Sequence, residues 1–522
     1  MRNHEEKLIA DYLAGEKVES DLAEAIAKNP ELLNKLASQH AIHKQLSHLL
    51  NKDSTANFVK KLEQQLNNRY GGHNQSTPCS QTQSKFSIRR HWYAVAAAIS
   101  LFSFLLIFKI ASLETTEVGA VYRVVSAISS GKPLTEGQKI LSGPFSLSQG
   151  YAEITLKNGV RLLLEAPMNV DILSDEHLLL KRGKLVATVP PAAIGFKVDT
   201  PSSSIIDLGT EFGVSVEDDG KSQVHVLTGE VKVRASTNQP YELLIKDQAR
   251  AFDLQQQVIN IKNNPNRFMR SLPGRSVAQP NYLHWSFDDL SQQEFSCVGT
   301  GIDGKCYNAK VKKLNDTLID VSTVTGKFGN AVNFDGENSW LATAYKGIGG
   351  NKPRTITFWL KAPTDFSSSQ GFGILNWGLS DVQSAWQISL NPLAVSGPLG
   401  RIRIGTNQGE IVGSTDLRDD TWHHLAIVLF GGEEVNLSTH VLIYVDGNLE
   451  YSDHKSIVKV FTDLDHPNSK SLTMGRNIAF DNESTNKNSR FFRGQLDELY
   501  IFDSALDEPQ IKNLMQKNTI DF

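Results

Sequence analysis

The sequence has few cysteines, no excess of one charge and no common catalytic motif. Three cysteines in 522 residues are too few for a disulfide-built scaffold or a four-thiolate zinc site. Lys and Arg number 53 against 57 Asp and Glu, a net charge of −4, so nothing indicates a nucleic-acid partner. No Gly-x-Ser-x-Gly elbow, P-loop or His-Glu-x-x-His occurs. What remains is an ordinary globular composition and a length typical of roughly three or four domains.

One long apolar run divides the chain. Residues 92–108 are 17 residues without a charge, about 26 Å of helix against a hydrocarbon core of ~30 Å. Lys109 interrupts the run, but a lysine at a helix end can snorkel to the interface. The sequence therefore predicts one transmembrane helix over 92–112. A cleaved signal peptide is excluded, because 91 residues precede the run.

The flanks of this run predict its orientation. Lys85, Arg89 and Arg90 precede it, whereas Glu114 and Glu117 follow it. The positive-inside rule then places the N-terminus in the cytoplasm. We expect a single-pass protein of the inner (cytoplasmic) membrane, with its C-terminal domains in the periplasm.

The N-terminal part is predicted to be helical. Residues 1–66 lack strand-like alternation and carry apolar residues at helical spacing, such as Leu8, Ile9, Tyr12 and Leu13. Such a small bundle often needs a partner. Residues 67–91 are a polar, flexible linker with basic residues at its end. Residues 11–36 resemble the start of FecR-type transmembrane anti-sigma regulators, which implies a sigma factor as the cytoplasmic partner.

A β domain is predicted over 118–254. Residues 151–167 alternate apolar and charged side chains around Asn158-Gly159, a strong hairpin signal. Residues 177–191 repeat this scheme around Gly183, and residues 224–233 around Gly229. Short strands with glycine turns are typical of an all-β sandwich or roll.

This domain also resembles a known family. Residues 195–216, GFKVDTPSSSIIDLGTEFGVSV, are similar to the core signature of FecR domains, and Val226, Gly229, Glu230 and Val231 to its closing hairpin. Within the signature, Asp207 and Glu211 need not face the same way on a strand, so no catalytic pair is expected. Gly209 and Gly213 suggest that backbone shape is the reason for the motif.

Residues 255–280 are predicted to be a linker, and residues 281–518 a second β domain of ten or more strands in two stacked sheets. Asp446-Gly447 between two apolar runs predicts a two-residue hairpin turn. In chain order, FDG (334–336), TITFWLKAP (355–363), WHHLAIVL (422–429), IYVDGNL (443–449) and RGQLDELYIFDSAL (493–506) resemble the laminin G-like, concanavalin A-like jelly roll. The chain as a whole is thus predicted to be mainly β.

The jelly roll is expected to bind and not to cleave. A retaining glucanase needs two carboxyls about 5–5.5 Å apart, and residues 281–518 lack the E-x-D-x-x-E spacing of such enzymes on this fold. Trp340, Trp377 and Trp386 are candidates for stacking on sugar faces, while Trp285, Trp359 and Trp422 lie in the family's strand motifs and are expected in the core. We therefore expect no enzyme activity and no cofactor.

The second domain contains a candidate calcium site and a candidate disulfide. Calcium binds Asp and carbonyl oxygens in folds of this kind, and Asp288, Asp289 and Asp335 are loop candidates, although Asp335 is equally explained as a turn former. His423 and His424 are neighbours that point to opposite strand faces, which argues against a metal pair. Outside the cytoplasm, Cys297 and Cys306 are predicted to form a disulfide.

Two functions fit this layout. In the first, the outer domains bind a glycan or protein ligand, and the cytoplasmic segment holds or releases a sigma factor. In the second, the chain is a membrane-anchored carbohydrate-binding or adhesion protein without sigma-factor control. The jelly-roll fold alone does not decide between them.

Overall fold

The computed structural model describes residues 115–235, 238–313, 321–432, 434–452, 454–477 and 491–521. The predicted helical segment, linker and transmembrane helix, residues 1–112, lie outside this part of the chain. Among the described residues, no helix combines the length and the apolar character that crossing a membrane requires. Two β domains are described, and they belong to a single compact unit.

The first domain is one large, mostly antiparallel sheet. Its strands are β1 Glu117–Ser129, β2 Lys132–Pro133, β3 Lys139–Leu141, β4 Gly143–Leu147, β5 Gln149–Leu156, β6 Arg161–Ser174, β7 His177–Thr188, β8 Lys197–Asp199, β9 Ser204–Asp207, β10 Glu211–Val216, β11 Ser222–Thr228, β12 Glu230–Arg234, β13 Glu242–Ile245, β14 Gln248–Phe252 and β15 Val258–Lys262.

The sheet curls around its own apolar face. Its main path runs β13-β12-β9-β8-β7-β10-β11-β14-β15, and β1 to β6 branch from β7 through β6. The register pairs Leu162 with Ala187 and Leu164 with Leu185, and all four lie in the domain core. Side chains at every second position therefore fill the interior.

The turn predictions for this domain hold in one case and fail in two. β5 and β6 form the predicted hairpin, with Gly159 at φ +87°. No hairpin forms at Gly183, because β7 continues through it with a bulge, and a Cβ there would lie 2.4 Å from the Met168 Cβ. No closing hairpin forms at Gly229 either, since β11 pairs with β10 and β14, and β12 with β9 and β13.

The second domain has two sheets. Its strands are β16 Tyr282–Trp285, β17 Leu290–Ser291, β18 Glu294–Phe295, β19 Ala309–Lys313, β20 Ser322–Thr325, β21 Asn330–Asp335, β22 Ser339–Ala342, β23 Arg354–Lys361, β24 Leu375–Gly378, β25 Ala385–Leu390, β26 Ile402–Gly405, β27 Glu410–Val412, β28 His423–Leu429, β29 Val441–Val445, β30 Asn448–Leu449, β31 His454–Lys455, β32 Lys470–Met474 and β33 Arg493–Phe502. The helices are α1 Leu437–His440 and α2 Glu508–Lys517.

These sheets form a sandwich, as predicted. One has eight strands in the order β20-β21-β33-β23-β28-β29-β30, with β16 beside β33, and the other has ten in the order β17-β18-β19-β22-β32-β24-β25-β26-β27-β31. Ile356 and Leu425 of the first sheet share a core with Trp377 and Ile388 of the second. Asp446 and Gly447, at φ +51° and +75°, make the predicted two-residue turn.

Helix α2 lies against the outer face of the eight-stranded sheet. Asp507 caps its N-terminus by accepting a hydrogen bond from the Gln510 backbone amide (3.0 Å), and the Gln510 side-chain oxygen accepts one from the Asp507 backbone amide (3.1 Å). This reciprocal capping box fixes where the helix begins. Ile511 and Leu514 are buried in an apolar cluster outside the sandwich core.

The segment predicted as a linker, 255–280, is not a free connection. β15 adds a strand to the first sheet by pairing with β14. Phe268, Met269 and Leu272 are then 2%, 3% and 5% exposed. The linker prediction is wrong for these residues. Phe268, Met269 and Leu272 are isolated among polar and turn-forming residues, so the sequence pattern did not indicate that they pack in an apolar cluster.

Candidate functional site at the junction of the two domains

The two domains meet through a continuous apolar cluster, here called the domain junction. The first domain contributes Tyr151, Leu163, Val186 and Leu227, and the connecting segment contributes Phe268, Met269 and Leu272. The second domain and α2 contribute Ala426, Val428, Phe430, Leu442, Tyr444, Leu449, Tyr500, Phe502, Leu506, Ile511 and Leu514. All of these residues are at most 8% exposed, so water is excluded from the contact.

Strand geometry explains why these residues meet. On β28, Leu425 and Ile427 point into the sandwich core, so Ala426 and Val428 between them point out of the sheet. β29 is similar, with Ile443 inside and Tyr444 outside. These strands are therefore apolar on both faces, which is typical of a sheet covered on both sides.

The connecting segment packs tightly on the first domain. The Phe268 ring lies edge-on to the His225 ring, with centroids 5.2 Å apart. A Cβ on Gly213 of β10 would lie 2.8 Å from the Phe268 ring. Gly213 is thus required by the close approach of this ring, whereas Gly209, at φ +98°, fits the explanation from backbone shape.

Polar contacts brace the edge of the junction. The Ser126 hydroxyl donates to Glu508 of α2, and Lys512 pairs with the same carboxylate. Nearby, the Gln149 amide donates to the Leu449 carbonyl (3.1 Å), and the Ser276 hydroxyl to Asp507 (2.6 Å). These contacts fix the position of the two domains relative to each other.

Three cavities open at the junction. One, about 740 Å³, lies between β1, residues 273–276 and α2, and one, about 240 Å³, lies between residues 148–151 and residues 449–451. The smallest of the three, about 220 Å³, is lined by Glu165 and Lys184 of the first domain, Arg267 of the connecting segment and Lys455 of the second domain. Burial would lower the pKa of Lys455, but the Tyr151 phenol and the Glu165 carboxylate outweigh it and hold the pKa above its ordinary value.

The FecR-like signature forms a turn rather than a catalytic pair. Asp207 is fully buried and accepts hydrogen bonds from the Gly209 amide (2.6 Å) and the Thr210 hydroxyl. Burial raises the pKa of Asp207 to about 6. Glu211 instead pairs with Arg270 (2.9 Å). The two carboxylates therefore serve different partners.

Two of the three tryptophans predicted to stack on sugars are in the core. Trp377 and Trp386 are 0% exposed, and the Trp377 indole N–H donates to the Ile348 carbonyl (3.2 Å). The buried Arg354 guanidinium lies 4.9 Å from the centre of the Trp386 ring. A ring without exposed surface cannot stack on a ligand, so the prediction is wrong for these two residues in this structure.

Trp340 is placed differently. It is half-buried on β22, on the side of the sheet opposite the core residue Leu341. The Arg476 guanidinium lies 4.5 Å above its ring, and the Phe491 ring is 6.0 Å away. Trp340 remains a predicted ligand contact.

The calcium candidates do not converge. Asp288 accepts a hydrogen bond from the Asn330 amide (2.8 Å), Asp289 is exposed, and Asp335 accepts one from the Glu337 amide (2.8 Å) as a turn former. In the part of the chain that the structure describes, no group of three or more His, Cys, Asp or Glu side chains could hold a metal ion.

The adjacent histidines have separate surroundings. His423 lies between Asp446 (2.8 Å) and Asp419 (3.1 Å), and these carboxylates, Asp446 foremost, raise its pKa to about 9. His424 is 3% exposed against the Trp359 ring, and burial lowers its pKa to about 4. Neither arrangement resembles a shared metal site.

The two cysteines predicted to pair are free thiols in the structure. Cys297 is half-buried and Cys306 is exposed. Burial, with a contribution from the neighbouring Cys306 thiol, raises the pKa of Cys297 to about 11.

We expect Cys297 and Cys306 to be oxidised in chain isolated from its own cells. Closing this short loop should stabilise the domain by roughly 2–3 kcal/mol in the chain-entropy model. Mass spectrometry under non-reducing conditions should find a linked peptide, with Cys79 free. Two free thiols at 297 and 306 would contradict the disulfide prediction.

Asp497 and Glu498 occupy a bulge in β33, where Glu498 has φ +50°. One carboxylate oxygen of Asp497 accepts the Lys327 (2.7 Å) and Phe328 (2.9 Å) amides, and the other has no hydrogen-bond partner. Glu498 instead contacts His284 (2.5 Å). Burial, aided by the Glu498 charge, raises the pKa of Asp497 to about 7.

The raised pKa of Asp497 predicts a pH dependence. Below about pH 7 the folded protein takes up a proton here that the unfolded chain, with a pKa near 3.8, does not. The contribution of Asp497 to folding stability should therefore rise as pH falls from 8 to 6. Asp497→Asn should flatten this slope in urea titrations at pH 8 and pH 6. An equal slope in the parent and in the variant would contradict the assignment.

Family models match both β domains. The model of FecR protein matches residues 146–232. The model of the concanavalin A-like lectin/glucanases superfamily matches residues 335–512. The chain therefore joins a FecR domain to a concanavalin A-like domain, which confirms both resemblances. A comparison with curated proteins found no match.

Solved structures are similar to parts of the chain. Domain 4 of AbnA, an extracellular arabinanase from Geobacillus stearothermophilus solved with arabinotriose, is 21% identical, with 46% of this chain and 100% of that chain covered and a TM-score of 0.31. A candidate anti-sigma factor from Parabacteroides distasonis is 17% identical, with 26% and 68% covered and a TM-score of 0.22. The binding domain of Paraclostridial Mosquitocidal Protein 1 is 16% identical, with 46% and 52% covered and a TM-score of 0.30.

Proposed function

We propose that this chain is a single-pass signalling regulator of the inner membrane. Its FecR and concanavalin A-like domains bind a glycan or protein ligand in the periplasm. The cytoplasmic helical segment, residues 1–66, then holds or releases a sigma factor. The predicted span at 92–112 connects the two sides.

The observation that carries this proposal is the domain junction. A module that only displayed a binding domain would need no more than a flexible tether to its anchor. Here the β28 and β29 side chains pack directly on the FecR domain through Phe268, Met269 and Leu272. A large apolar contact suppresses independent domain motion. Ligand binding on the jelly roll would therefore move or restrain the FecR domain as well.

We also propose that the chain is not an enzyme. Residues 281–518 lack the paired-carboxylate spacing of glucanases on this fold. In the FecR signature, Asp207 and Glu211 bind different partners. Binding without turnover suits a sensor, because the ligand must stay bound long enough for the signal to reach the cytoplasmic segment.

The proposal is tested in the native host with tagged chain at its own expression level. The full chain should co-purify with a sigma factor, and a variant lacking residues 5–66 should not. The transcriptomes of the two strains should differ in the genes that this factor controls. The deletion variant keeps its outer domains and is the matched control for membrane insertion.

Deletion of residues 5–66 separates the two candidate functions. If no sigma factor co-purifies and the transcriptomes are the same, the regulator proposal is wrong. If glycan adhesion also remains intact in the deletion strain, the chain is a membrane-anchored carbohydrate-binding protein instead.

A further inference from the structure

The smallest of the three cavities at the domain junction has an excess of positive charge. Its charged lining is Lys184, Arg267 and Lys455 against one carboxylate, Glu165. We call these four residues the basic pocket. Three cations and one anion leave a formal charge of +2 in a cavity of about 220 Å³.

Glu165 is shared between two ammonium groups and pairs closely with neither. The same oxygen lies 3.4 Å from the Lys184 ammonium and 3.8 Å from that of Lys455. Good ammonium–carboxylate hydrogen bonds are about 2.7–2.9 Å long. Arg267 donates to the neutral Gln223 side chain (2.6 Å), and no carboxylate in the described part of the chain forms an ion pair with it.

The charges of the basic pocket are partly removed from water. The Lys455 side chain is 20% exposed and that of Glu165 is 13% exposed. Unbalanced charge in such surroundings is costly, and an added anion that hydrogen-bonds to it is correspondingly favoured. The excess positive charge of the pocket therefore favours binding of an anionic group from a ligand.

The rest of the lining suits a sugar that carries this group. Ser438 and Thr439 border the cavity, and so does Tyr451, which is 49% exposed. Hydroxyl groups and aromatic rings are the partners that sugar hydroxyls and sugar faces use. The volume exceeds that of a bare oxyanion.

We propose that the basic pocket binds the oxyanion of an acidic sugar, a carboxylate or a sulfate ester, between the FecR and concanavalin A-like domains. The proposal deepens the proposed function, on whose glycan ligand it rests. Because Lys184 and Lys455 come from different domains, the bound oxyanion bridges them. A bound ligand therefore strengthens the junction and contacts the FecR domain directly through Lys184.

Calorimetry on the full chain in detergent tests this proposal with four probes at low salt. They are an oligogalacturonide, a sulfated oligosaccharide, a neutral oligosaccharide of the same length, and inorganic sulfate. The double variant Lys184→Gln/Arg267→Gln should bind the preferred acidic probe at least about tenfold more weakly. Lys262→Gln, on the exposed edge strand β15, removes one charge elsewhere and should leave binding unchanged.

Each outcome decides the proposal. Preference for an acidic oligosaccharide over the neutral one, lost only in the pocket variant, supports it. Equal binding of acidic and neutral probes, an unchanged affinity in the double variant, or sulfate binding as tight as that of the sugars overturns it. Hydrogen exchange on the double variant controls for folding. If only neutral glycans bind and sigma-factor control persists, the pocket proposal fails while the proposed function stands.

Discussion

Replacing Phe268 with alanine should lower the free energy of unfolding by about 3–5 kcal/mol, the usual cost of deleting a buried aromatic ring. The ring is 2% exposed at the domain junction and packs over Gly213 and His225. Its loss leaves a cavity between the two domains. The FecR and concanavalin A-like domains should then unfold in separate steps, because the contact that couples them is weakened.

Calorimetric unfolding of the purified chain measures this effect, and hydrogen exchange assigns each step to a domain. Phe461→Ala is the matched control, because Phe461 is 63% exposed and its loss should change stability by less than about 0.5 kcal/mol. An equally small effect of Phe268→Ala would show that the connecting segment does not hold the domains together.

Trp386→Ala and Trp377→Ala should each destabilise the concanavalin A-like domain by about 3–5 kcal/mol. Both side chains are fully buried between the two sheets. Trp386 also lies under Arg354, which donates to the Ile348 (2.7 Å) and Gly350 (3.0 Å) carbonyls. Removing the Trp386 indole leaves the buried Arg354 guanidinium next to a cavity.

Trp340→Ala is the matched control for these variants, because its ring is half-buried outside the core. Urea unfolding followed by far-ultraviolet circular dichroism should show a clearly smaller loss for Trp340→Ala, and any loss of glycan binding should be confined to it. Unchanged stability with lost binding in Trp386→Ala would restore the original prediction that this residue contacts a ligand.

Much of the fold could be predicted from local patterns. Alternation over 151–167, the Asn158-Gly159 and Asp446-Gly447 turns and the family signatures predict two β domains, and the structure has both. These features are set by near neighbours in the chain, so the sequence displays them directly. Gly183 misled the prediction, because a glycine at φ +100° serves a bulge as well as it serves a turn.

The junction could not be predicted in the same way, although one signal was present. LAIVLF (425–430) and VLIYV (441–445) are apolar at consecutive positions. Strands of a sheet with one solvent-exposed face instead alternate apolar and polar residues. These runs indicated a second covered face but not what covers it. The role of Trp377 and Trp386 depends on the same kind of long-range packing, since residue type alone does not distinguish a core ring from a binding ring.

The most direct test of the account is to cut the connection between the domains and ask whether they stay together. A protease site inserted between Ala278 and Gln279, both exposed, leaves Phe268, Met269 and Leu272 with the FecR domain. After cleavage of the purified chain, the two fragments should co-elute in size-exclusion chromatography at micromolar concentration. Fragments that elute separately would contradict the claim that the FecR and concanavalin A-like domains act as one body.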